Sequence, residues 1–190
     1  MLNIVIFGAP GSGKGTQSAN IVNDYHLFHI STGDVLRDNI KRGTELGHTA
    51  KAYMDKGQLI PDELMISILG DVIDANREKA AAGIIFDGFP RTIPQAEALD
   101  KMLADRDMKL DAVVGLEVPE KELIERILER GRLTGRSDDN PETVTSRLEV
   151  YHKSTQPLMK HYQEKGLYNA IDGMGTIDEI YARIRKALDK

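Results

Sequence analysis

The sequence predicts an α/β protein whose central sheet has five parallel strands flanked by helices. Five short apolar runs, typical of buried strands, alternate with stretches of helical periodicity, and this alternation favours a parallel sheet. The apolar runs are Leu2–Phe7, Phe28–Ile30, Ile84–Phe86, Ala112–Leu116 and Tyr168–Ile171. The helical stretches are residues 13–24, 33–42, 44–55, 62–77, 94–104, 119–130, 141–164 and 176–188.

The composition is that of an acidic chain with enough apolar residues for one core. Its 190 residues are 41% hydrophobic and carry a net charge of −5, with no cysteine and with five histidines at no metal-ligand spacing. The acidic balance disfavours nucleic acid and membrane surfaces as partners, and no apolar run approaches the ~18 residues of a membrane-spanning helix. The lack of thiols suits a reducing compartment. We therefore expect a single domain, cytoplasmic and monomeric, whose histidines lie at the surface or in packing contacts.

The segment after the first strand has the composition of a phosphate-binding loop. It runs Gly8-Ala9-Pro10-Gly11-Ser12-Gly13-Lys14-Gly15-Thr16 between the first strand and the first helix. Glycines allow a tight turn that points backbone N–H groups inward, while the helix N-terminus and Lys14 supply positive charge. The match to G-x-x-x-x-G-K-[ST] departs at Gly15, which moves the hydroxyl to Thr16. The alternative interpretation is a glycine-rich turn with a stray lysine.

A second polar motif, Ser31-Thr32-Gly33-Asp34 with Arg37, follows the second apolar run. Its simplest interpretation is a helix start, with Ser31 as N-cap and Asp34 as a variant of the capping box. Arg37 lies one turn further on and has the bidentate geometry that binds phosphate. The capping role and the phosphate-binding role do not exclude each other.

The segment from Asp87 to Gln95 follows the third apolar run. A carboxylate at the end of a buried strand is costly unless something polar needs it, and water bound to Mg²⁺ is one such partner for Asp87. Gly88 permits a close backbone approach, Arg91 offers a second anion contact, and the Gln95 amide can contact a base. The alternative is a tight turn around a buried ion pair. Since this segment and the phosphate-binding loop both follow strands, we expect them to face one cleft.

Arginines gather in the last third of the chain. Arg126 and Arg130 share a helix face, and Gly131 and Gly135 are expected to loosen the chain beyond them. The set comprises Arg126, Arg130, Arg132, Arg136 and Arg147. A solvated charged face, with Glu122 pairing to Arg126 at i,i+4, is the simpler interpretation. In an acidic protein with a phosphate-binding loop, a mobile flap that closes over a nucleotide explains both the arginines and the glycines.

The chemistry predicted from these residues is phosphoryl transfer to a phosphate. Transfer to an alcohol calls for a catalytic aspartate that accepts the hydroxyl proton, and the sequence has no H-R-D-type loop. A phosphate acceptor is largely ionised at neutral pH, because its second pKa is about 6. Positioning and charge neutralisation are then sufficient.

Taken together, these motifs resemble those of short-lid adenylate kinases, and the resemblance covers nearly the whole chain. Residues Gly8 to Thr16 match the phosphate loop of that family, including the glycine after the lysine. Asp87-Gly88-Phe89-Pro90-Arg91 with Gln95 resembles the family's signature. The resemblance implies a P-loop nucleotide-binding fold and Mg²⁺-dependent transfer of the terminal phosphoryl group of ATP to AMP, giving two ADP.

The resemblance also implies roles for individual residues. ATP would contact Gly11, Ser12, Gly13, Lys14, Gly15, Thr16, Arg126, Arg130 and Gly175. AMP and the phosphates being joined would contact Thr32, Arg37, Gln58, Leu59, Ile60, Gly88, Phe89, Pro90, Arg91, Gln95, Arg136 and Arg147. The residues with catalytic roles would be Lys14, Arg91, Arg130, Arg136 and Arg147. Asp87, through water, and the Thr16 hydroxyl would serve Mg²⁺, with Asp138 and Asp139 orienting the metal or lid contacts.

The implied organisation is a core of residues 1–30, 61–129 and 141–190, a helical monophosphate-binding subdomain at 31–60 and a short lid at 130–140. No structural zinc is expected, because the inserted hairpin and cysteines of long-lid relatives are missing. Two alternatives stay open: a UMP/CMP kinase, which shares the loop and a similar lid, and a nucleotide-binding regulatory module that has lost catalysis.

Overall fold

The computed structural model describes residues 1–56, 58, 60–134 and 141–189. In this part of the chain the five predicted strands and eight predicted helices are all present. The strands are β1 (Leu2–Gly8), β2 (Phe28–Ser31), β3 (Gly83–Asp87), β4 (Ala112–Glu117) and β5 (Tyr168–Asp172). The helices are α1 (Lys14–Tyr25), α2 (Thr32–Arg42), α3 (Glu45–Asp55), α4 (Asp62–Ala75), α5 (Ile93–Ala104), α6 (Glu120–Thr134), α7 (Pro141–Glu164) and α8 (Ile177–Leu188).

The strands form one five-stranded sheet in the order β2-β3-β1-β4-β5. Strand β2 pairs in parallel with β3, with Ser31 opposite Asp87, and β4 pairs in parallel with β5. The prediction of a parallel α/β sheet is confirmed. The same pairing brings two of the predicted motifs to adjacent strand ends, because the last residues of β2 and β3 are register partners.

Helix α6 is longer than predicted and ends at Thr134 instead of residue 130. The expectation that Gly131 loosens the chain is therefore wrong, since this glycine lies inside the helix. An interior glycine costs only about 0.5–1 kcal/mol relative to alanine, which tertiary packing can offset. Helix α7 begins at Pro141, where the fixed φ of proline suits the first turn.

The contacts between residues divide the chain into two compact units. The first unit comprises Met1–Val5 and Tyr25–Asp111, and the second comprises Ile6–Asp24 and Ala112–Lys190. Strand β1 contributes residues to both. The predicted monophosphate-binding subdomain and lid are finer divisions than these units, and they stay predictions.

In the first unit, a buried asparagine holds the start of β1. Asn3 is 1% exposed, and its side chain accepts from the N–H of Ile84 at 3.1 Å and donates to the carbonyl of Lys109 at 2.8 Å. Its backbone N–H donates to the Asp111 carboxylate at 2.8 Å. A buried amide with satisfied hydrogen bonds ties three segments distant in sequence to one another.

In the second unit, an apolar cluster lies beneath the segment that follows β1. Ala9 packs with residues of α6 and α7, all of them buried. The cluster consists of Ala9, Leu123, Ile127, Val144 and Leu148. Helix α6 therefore supports the predicted phosphate-binding loop, and this contact positions the site described below. Among the described residues, no helix is both long and apolar enough to cross a bilayer.

An ion pair joins α4 to the end of α5 and makes stability sensitive to pH. The Arg106 guanidinium donates to both carboxylate oxygens of Asp74, at 3.0 and 2.9 Å. The hydrogen bond from Arg106 lowers the pKa of the Asp74 carboxyl below its usual value. The pKa of Asp74 is therefore lower in the folded chain than in the unfolded chain. The pair contributes its full stabilisation at pH values above the unfolded pKa, and this stabilisation is lost as the pH falls through the folded pKa.

We predict that Asp74→Asn unfolds at a lower urea concentration than the parent chain at pH 7. Below about pH 4 the difference between the two urea midpoints should become smaller, because the Asp74 carboxyl of the parent is then protonated as well. Asp38→Asn is the matched control, because Asp38 and its partner Arg42 are each 59% exposed. The control should change the midpoint little at either pH. A deficit for Asp74→Asn that is as large at low pH as at neutral pH would contradict the role given to this ion pair.

Candidate active site

The phosphate loop, residues 8–16, connects β1 to α1 in the second unit. A Cβ atom at Gly8 would lie 2.4 Å from Ser12 Oγ and 3.0 Å from Lys14 Cβ, so only glycine fits there. Gly11 and Gly13 have φ of +84° and +86°, a conformation that favours glycine. The loop therefore turns tightly, with the Ser12 and Lys14 side chains packed beside Gly8.

The Ser12 side chain is the clearest sign that this loop is built for a ligand. It is 2% exposed, and its Oγ has no hydrogen-bond partner in the described part of the chain. A buried hydroxyl without a partner costs about 1–3 kcal/mol. It lies in a loop of backbone N–H groups at the N-terminus of α1, where a bound anion is favoured. A phosphate bound in the loop could accept hydrogen bonds from the Ser12 hydroxyl and from the backbone N–H groups.

The outer part of the loop faces open space. Cβ atoms at Gly13 and Gly15 would meet no described atom within 4 Å. Lys14 opens α1 and is half-buried, while Thr16 is exposed. The predicted donor-binding residues of the loop thus lie together at one helix start, with room beside the glycine backbone for a ligand.

Arg126, on α6, contacts two loops of the second unit. Its Nε donates to Glu122 at 3.0 Å, one terminal nitrogen donates to the Gly11 carbonyl at 3.5 Å, and the other donates to the Gly173 carbonyl at 3.1 Å. The helical ion pair considered as the simpler interpretation is thus present. It accompanies contacts to the phosphate loop and to the loop between β5 and α8.

Three further predicted residues of the second unit lie on α6, on α7 and just before α8. Arg130 on α6 and Arg147 on α7 are half-buried and lie on packed helices. Gly175 has φ +113°, a backbone conformation in which any other residue would be strained. Arg136, Asp138 and Asp139 lie outside the described residues.

In the first unit, three predicted residues meet around the Gly88 carbonyl. The Thr32 hydroxyl donates to it at 3.4 Å and Arg91 Nε at 3.0 Å. Gly88 has φ +85°, and a Cβ there would lie 3.1 Å from Thr32 Oγ1. The close approach predicted for Gly88 is therefore a contact with Thr32. Phe89 and Pro90, joined by a cis peptide bond, are buried behind it.

The Gln95 amide is fixed at both ends. Its oxygen accepts from the Arg91 N–H at 2.8 Å, and its nitrogen donates to the Asp62 carboxylate at 2.8 Å. Thr92 caps α5 by accepting from the Gln95 N–H at 3.2 Å. Thr32, Arg91 and Gln95, predicted separately, thus form one connected hydrogen-bond network, which Asp62 completes.

Arg37 folds back onto the start of its own helix. It pairs with Asp34, and both side chains are exposed. Ser31 occupies the N-cap position of α2, but its side chain makes no capping hydrogen bond. The predicted side-chain capping by Ser31 is therefore wrong, and Asp34 pairs with Arg37 instead of completing a capping box.

Gln58 and Ile60 lie in the connection from α3 to α4. Gln58 is exposed, its N–H donating to the Tyr53 carbonyl at 2.9 Å, and Ile60 is half-buried. Leu59, predicted beside them, lies outside the described residues. Gln58 and Ile60 therefore lie in one short connection of the first unit.

Comparison with known proteins decides the family. A model of the family described as adenylate kinase matches residues 6–167. The chain belongs to the adenylate kinase family. A protein of Bacteroides thetaiotaomicron named adenylate kinase is 60% identical over 190 residues, covering 100% of both chains. Proteins of the same name from Parabacteroides distasonis and Thermus thermophilus are 59% and 49% identical, each over at least 96% of both chains.

Adenylate kinase chemistry involves Mg²⁺ with ATP, and the oxygen side chains present suit that ion. Asp87 ends β3 with a side chain that is 14% exposed, and Thr16 presents an exposed hydroxyl. Carboxylate and hydroxyl oxygens with retained waters are the ligands that Mg²⁺ prefers. Among the described residues, no group of three or more His, Asp or Glu side chains is placed to hold a metal.

Sequence reasoning missed two residues that contact the predicted site of this family member. His29 is exposed, as expected of the histidines, and its Nε2 lies 3.2 Å from the Asp87 carboxylate. Asp62 holds the amide of Gln95. The available sequence signal for His29 is its place one residue before the end of the predicted second strand, Phe28–Ile30. No sequence signal points to Asp62.

Proposed function

We propose that this chain catalyses the reversible, Mg²⁺-dependent transfer of the terminal phosphoryl group of ATP to AMP, giving two ADP. The observation that carries the proposal is the full-length identity of about 60% to a protein named adenylate kinase. The buried Ser12 hydroxyl inside the phosphate loop, which finds no hydrogen-bond partner among the described residues, supports it independently. By this reaction the chain would balance adenine nucleotides.

On the donor side, Gly11–Thr16 wrap the phosphates of ATP with backbone N–H groups other than that of Ser12, which donates to the Ala9 carbonyl at 3.0 Å. Lys14 adds a cation at the start of α1, where charge moves during transfer. Arg126, Arg130 and Gly175 contact the rest of ATP. Asp87, through water, and the Thr16 hydroxyl are the residues that would hold the Mg²⁺ bound with ATP, and that ion would supply two positive charges against the negative charges of the phosphates.

On the acceptor side, Thr32 and Gln95 contact the adenine of AMP, and Arg37 and Arg91 bind its phosphate. Gln58, Leu59, Ile60, Gly88, Phe89 and Pro90 form the remaining contacts. The guanidinium groups of Arg37 and Arg91 have the planar geometry that binds phosphate bidentately. Arg37 would exchange Asp34 for the phosphate, an exchange that costs little because an exposed ion pair is weak.

The phosphate of AMP needs no general base, because it is already largely ionised at neutral pH. Catalysis then consists of holding the two phosphates in line and neutralising the charge shared between them. Lys14, Arg91, Arg130, Arg136 and Arg147 supply that positive charge. We further propose that the subdomain at 31–60 and the lid at 130–140 close over the nucleotides and exclude water, as in the general gating mechanism of kinase lids.

The activity and the acceptor base are tested by one experiment. Purified chain is incubated with Mg²⁺–ATP and with AMP, CMP or UMP, and diphosphate formation is measured. We expect turnover with AMP to exceed that with CMP and UMP by at least tenfold. Preference for CMP or UMP would identify a UMP/CMP kinase, and ATP binding without turnover on any acceptor would identify a regulatory module. A monomeric, cytoplasmic state is also proposed, to be measured by sedimentation and cell fractionation.

We predict that Arg91→Ala lowers kcat/KM for AMP by about 10–100-fold, the effect of losing a hydrogen bond to a charged group worth about 1.5–3 kcal/mol. ATP affinity, measured by calorimetry without AMP, should change less than twofold. Arg77→Ala is the control, because Arg77 is 61% exposed and pairs with Asp74 on the first unit's surface. Equal losses for ATP and AMP would assign Arg91 to the wrong nucleotide.

A further inference from the structure

The ion pair between Glu122 and Arg126 differs from the other helical ion pairs of the described residues. Its side chains are 32% and 28% exposed. The pair formed by Glu129 and Arg132, on the same helix, is 51% and 75% exposed. Exposed pairs of that kind contribute little to stability. The lower exposure of Glu122 and Arg126 indicates a pair held between other parts of the second unit.

The guanidinium of Arg126 is engaged on three sides. Nε donates to Glu122 Oε1, and the two terminal nitrogens donate to the carbonyls of Gly11 and Gly173. Because the guanidinium is planar with donors in a fixed fork, the bond at Nε sets the directions of the other two. Glu122 therefore determines where the terminal nitrogens of Arg126 point.

The two carbonyls belong to loops that both rest on α6 or on the residues leading to it. A Cβ at Gly11 would lie 2.8 Å from the Ile127 side chain, and one at Gly173 would lie 2.5 Å from the Val118 side chain. The β5–α8 loop, residues 173–176, is also held by Arg183, which donates to the carbonyl of Met174. Arg126 adds a connection from this loop to the phosphate loop.

We propose that Glu122 is a positioning residue for the donor nucleotide. By orienting Arg126 it holds the phosphate loop and the β5–α8 loop at the spacing that one ATP molecule spans, from its phosphates to its base. The inference rests on the proposed function, in which these loops bind opposite ends of ATP. Glu122 itself touches neither nucleotide.

The test is Glu122→Ala in the full chain. ATP dissociation, measured by calorimetry, and KM for ATP should both rise about tenfold, whereas KM for AMP and kcat should change less than twofold. Glu122→Gln keeps an oxygen acceptor for Nε and should return both ATP constants to within about threefold of the parent values. Glu129→Ala, which removes the exposed pair on the same helix, should leave all constants unchanged.

A second measurement separates positioning from simple loss of stability. In Glu122→Ala, hydrogen exchange should accelerate at the amides of residues 11–15 and 173–176 and stay unchanged in β2 and β3. If Glu122→Ala fails to fold, Glu122→Asp, which shortens the side chain and keeps its charge, takes its place with the same expectations. The inference would be overturned if ATP affinity were unchanged in Glu122→Ala, or if KM rose equally for ATP and AMP. It would also be overturned if Glu122→Gln failed to restore the ATP constants.

Failure of the inference is distinguishable from failure of the proposed function. If the parent chain forms no ADP from ATP and AMP, the function is wrong whatever the variants do. If the parent chain is active and Glu122→Ala binds ATP normally, the function stands and the positioning role is wrong.

Discussion

Replacing Lys14 with methionine is expected to reduce kcat for ADP formation by about 10²–10³-fold, the range found when one preorganised group that stabilises transition-state charge is removed. Methionine keeps the length of the side chain and removes its charge. The fold should persist, because Lys14 is half-buried at a helix start and lies outside the apolar cluster beneath the loop. Circular dichroism and a thermal melt would check that the variant is folded.

The control for this experiment is Lys186→Met. Lys186 is exposed in the last turn of α8, so its substitution removes one positive charge from the same unit without touching the phosphate loop. Its kcat should stay within about twofold of the parent value. A folded Lys14→Met variant with near-normal kcat would show that this cation does not act on the transferring phosphoryl group.

The largest expected loss of stability comes from Gly83→Ala. Gly83 opens β3 with φ +135°, and a Cβ there would lie 1.8 Å from the Leu2 carbonyl oxygen. Because the Leu2 oxygen is a backbone atom, turning a side chain cannot relieve the clash. Both residues belong to strands of the first unit. We expect a loss of about 3 kcal/mol or more in the free energy of unfolding, from backbone strain and overpacking together.

Gly166→Ala separates strain from clash. Gly166 also has a positive φ, +70°, but a Cβ there would meet no described atom within 4 Å. Its substitution should cost only about 1 kcal/mol, from the left-handed conformation alone. Urea denaturation of both variants measures the difference. Equal urea midpoints for Gly83→Ala and Gly166→Ala would mean that the close contact between Gly83 and Leu2 adds nothing to the cost of the positive φ.

The elements of this fold could be predicted because their signals are local. Apolar runs of strand length, helical periodicity, and proline at the start of α7 each act over a few residues. The phosphate loop is a local signal too, since its glycines follow a strand and precede a helix in one continuous segment.

Contacts between distant residues could not be predicted in the same way. The bond between Gln95 and Asp62 joins side chains 33 positions apart, and that between Arg126 and Gly173 spans 47 positions. Such contacts depend on how helices and loops pack, which no local pattern specifies. The Ser31 prediction failed within a local pattern: Ser31 takes the N-cap position, but its side chain makes no capping hydrogen bond, and Asp34 pairs with Arg37.

The most direct test of the central claim follows the phosphorus atom itself. ATP radiolabelled at its terminal phosphate is incubated with AMP, Mg²⁺ and the parent chain, and the labelled products are separated early in the reaction. The proposed transfer predicts that the label appears in the β-phosphate of ADP and that little reaches inorganic phosphate. Label released mainly as inorganic phosphate, or absence of labelled ADP when AMP is present, would contradict the proposed function.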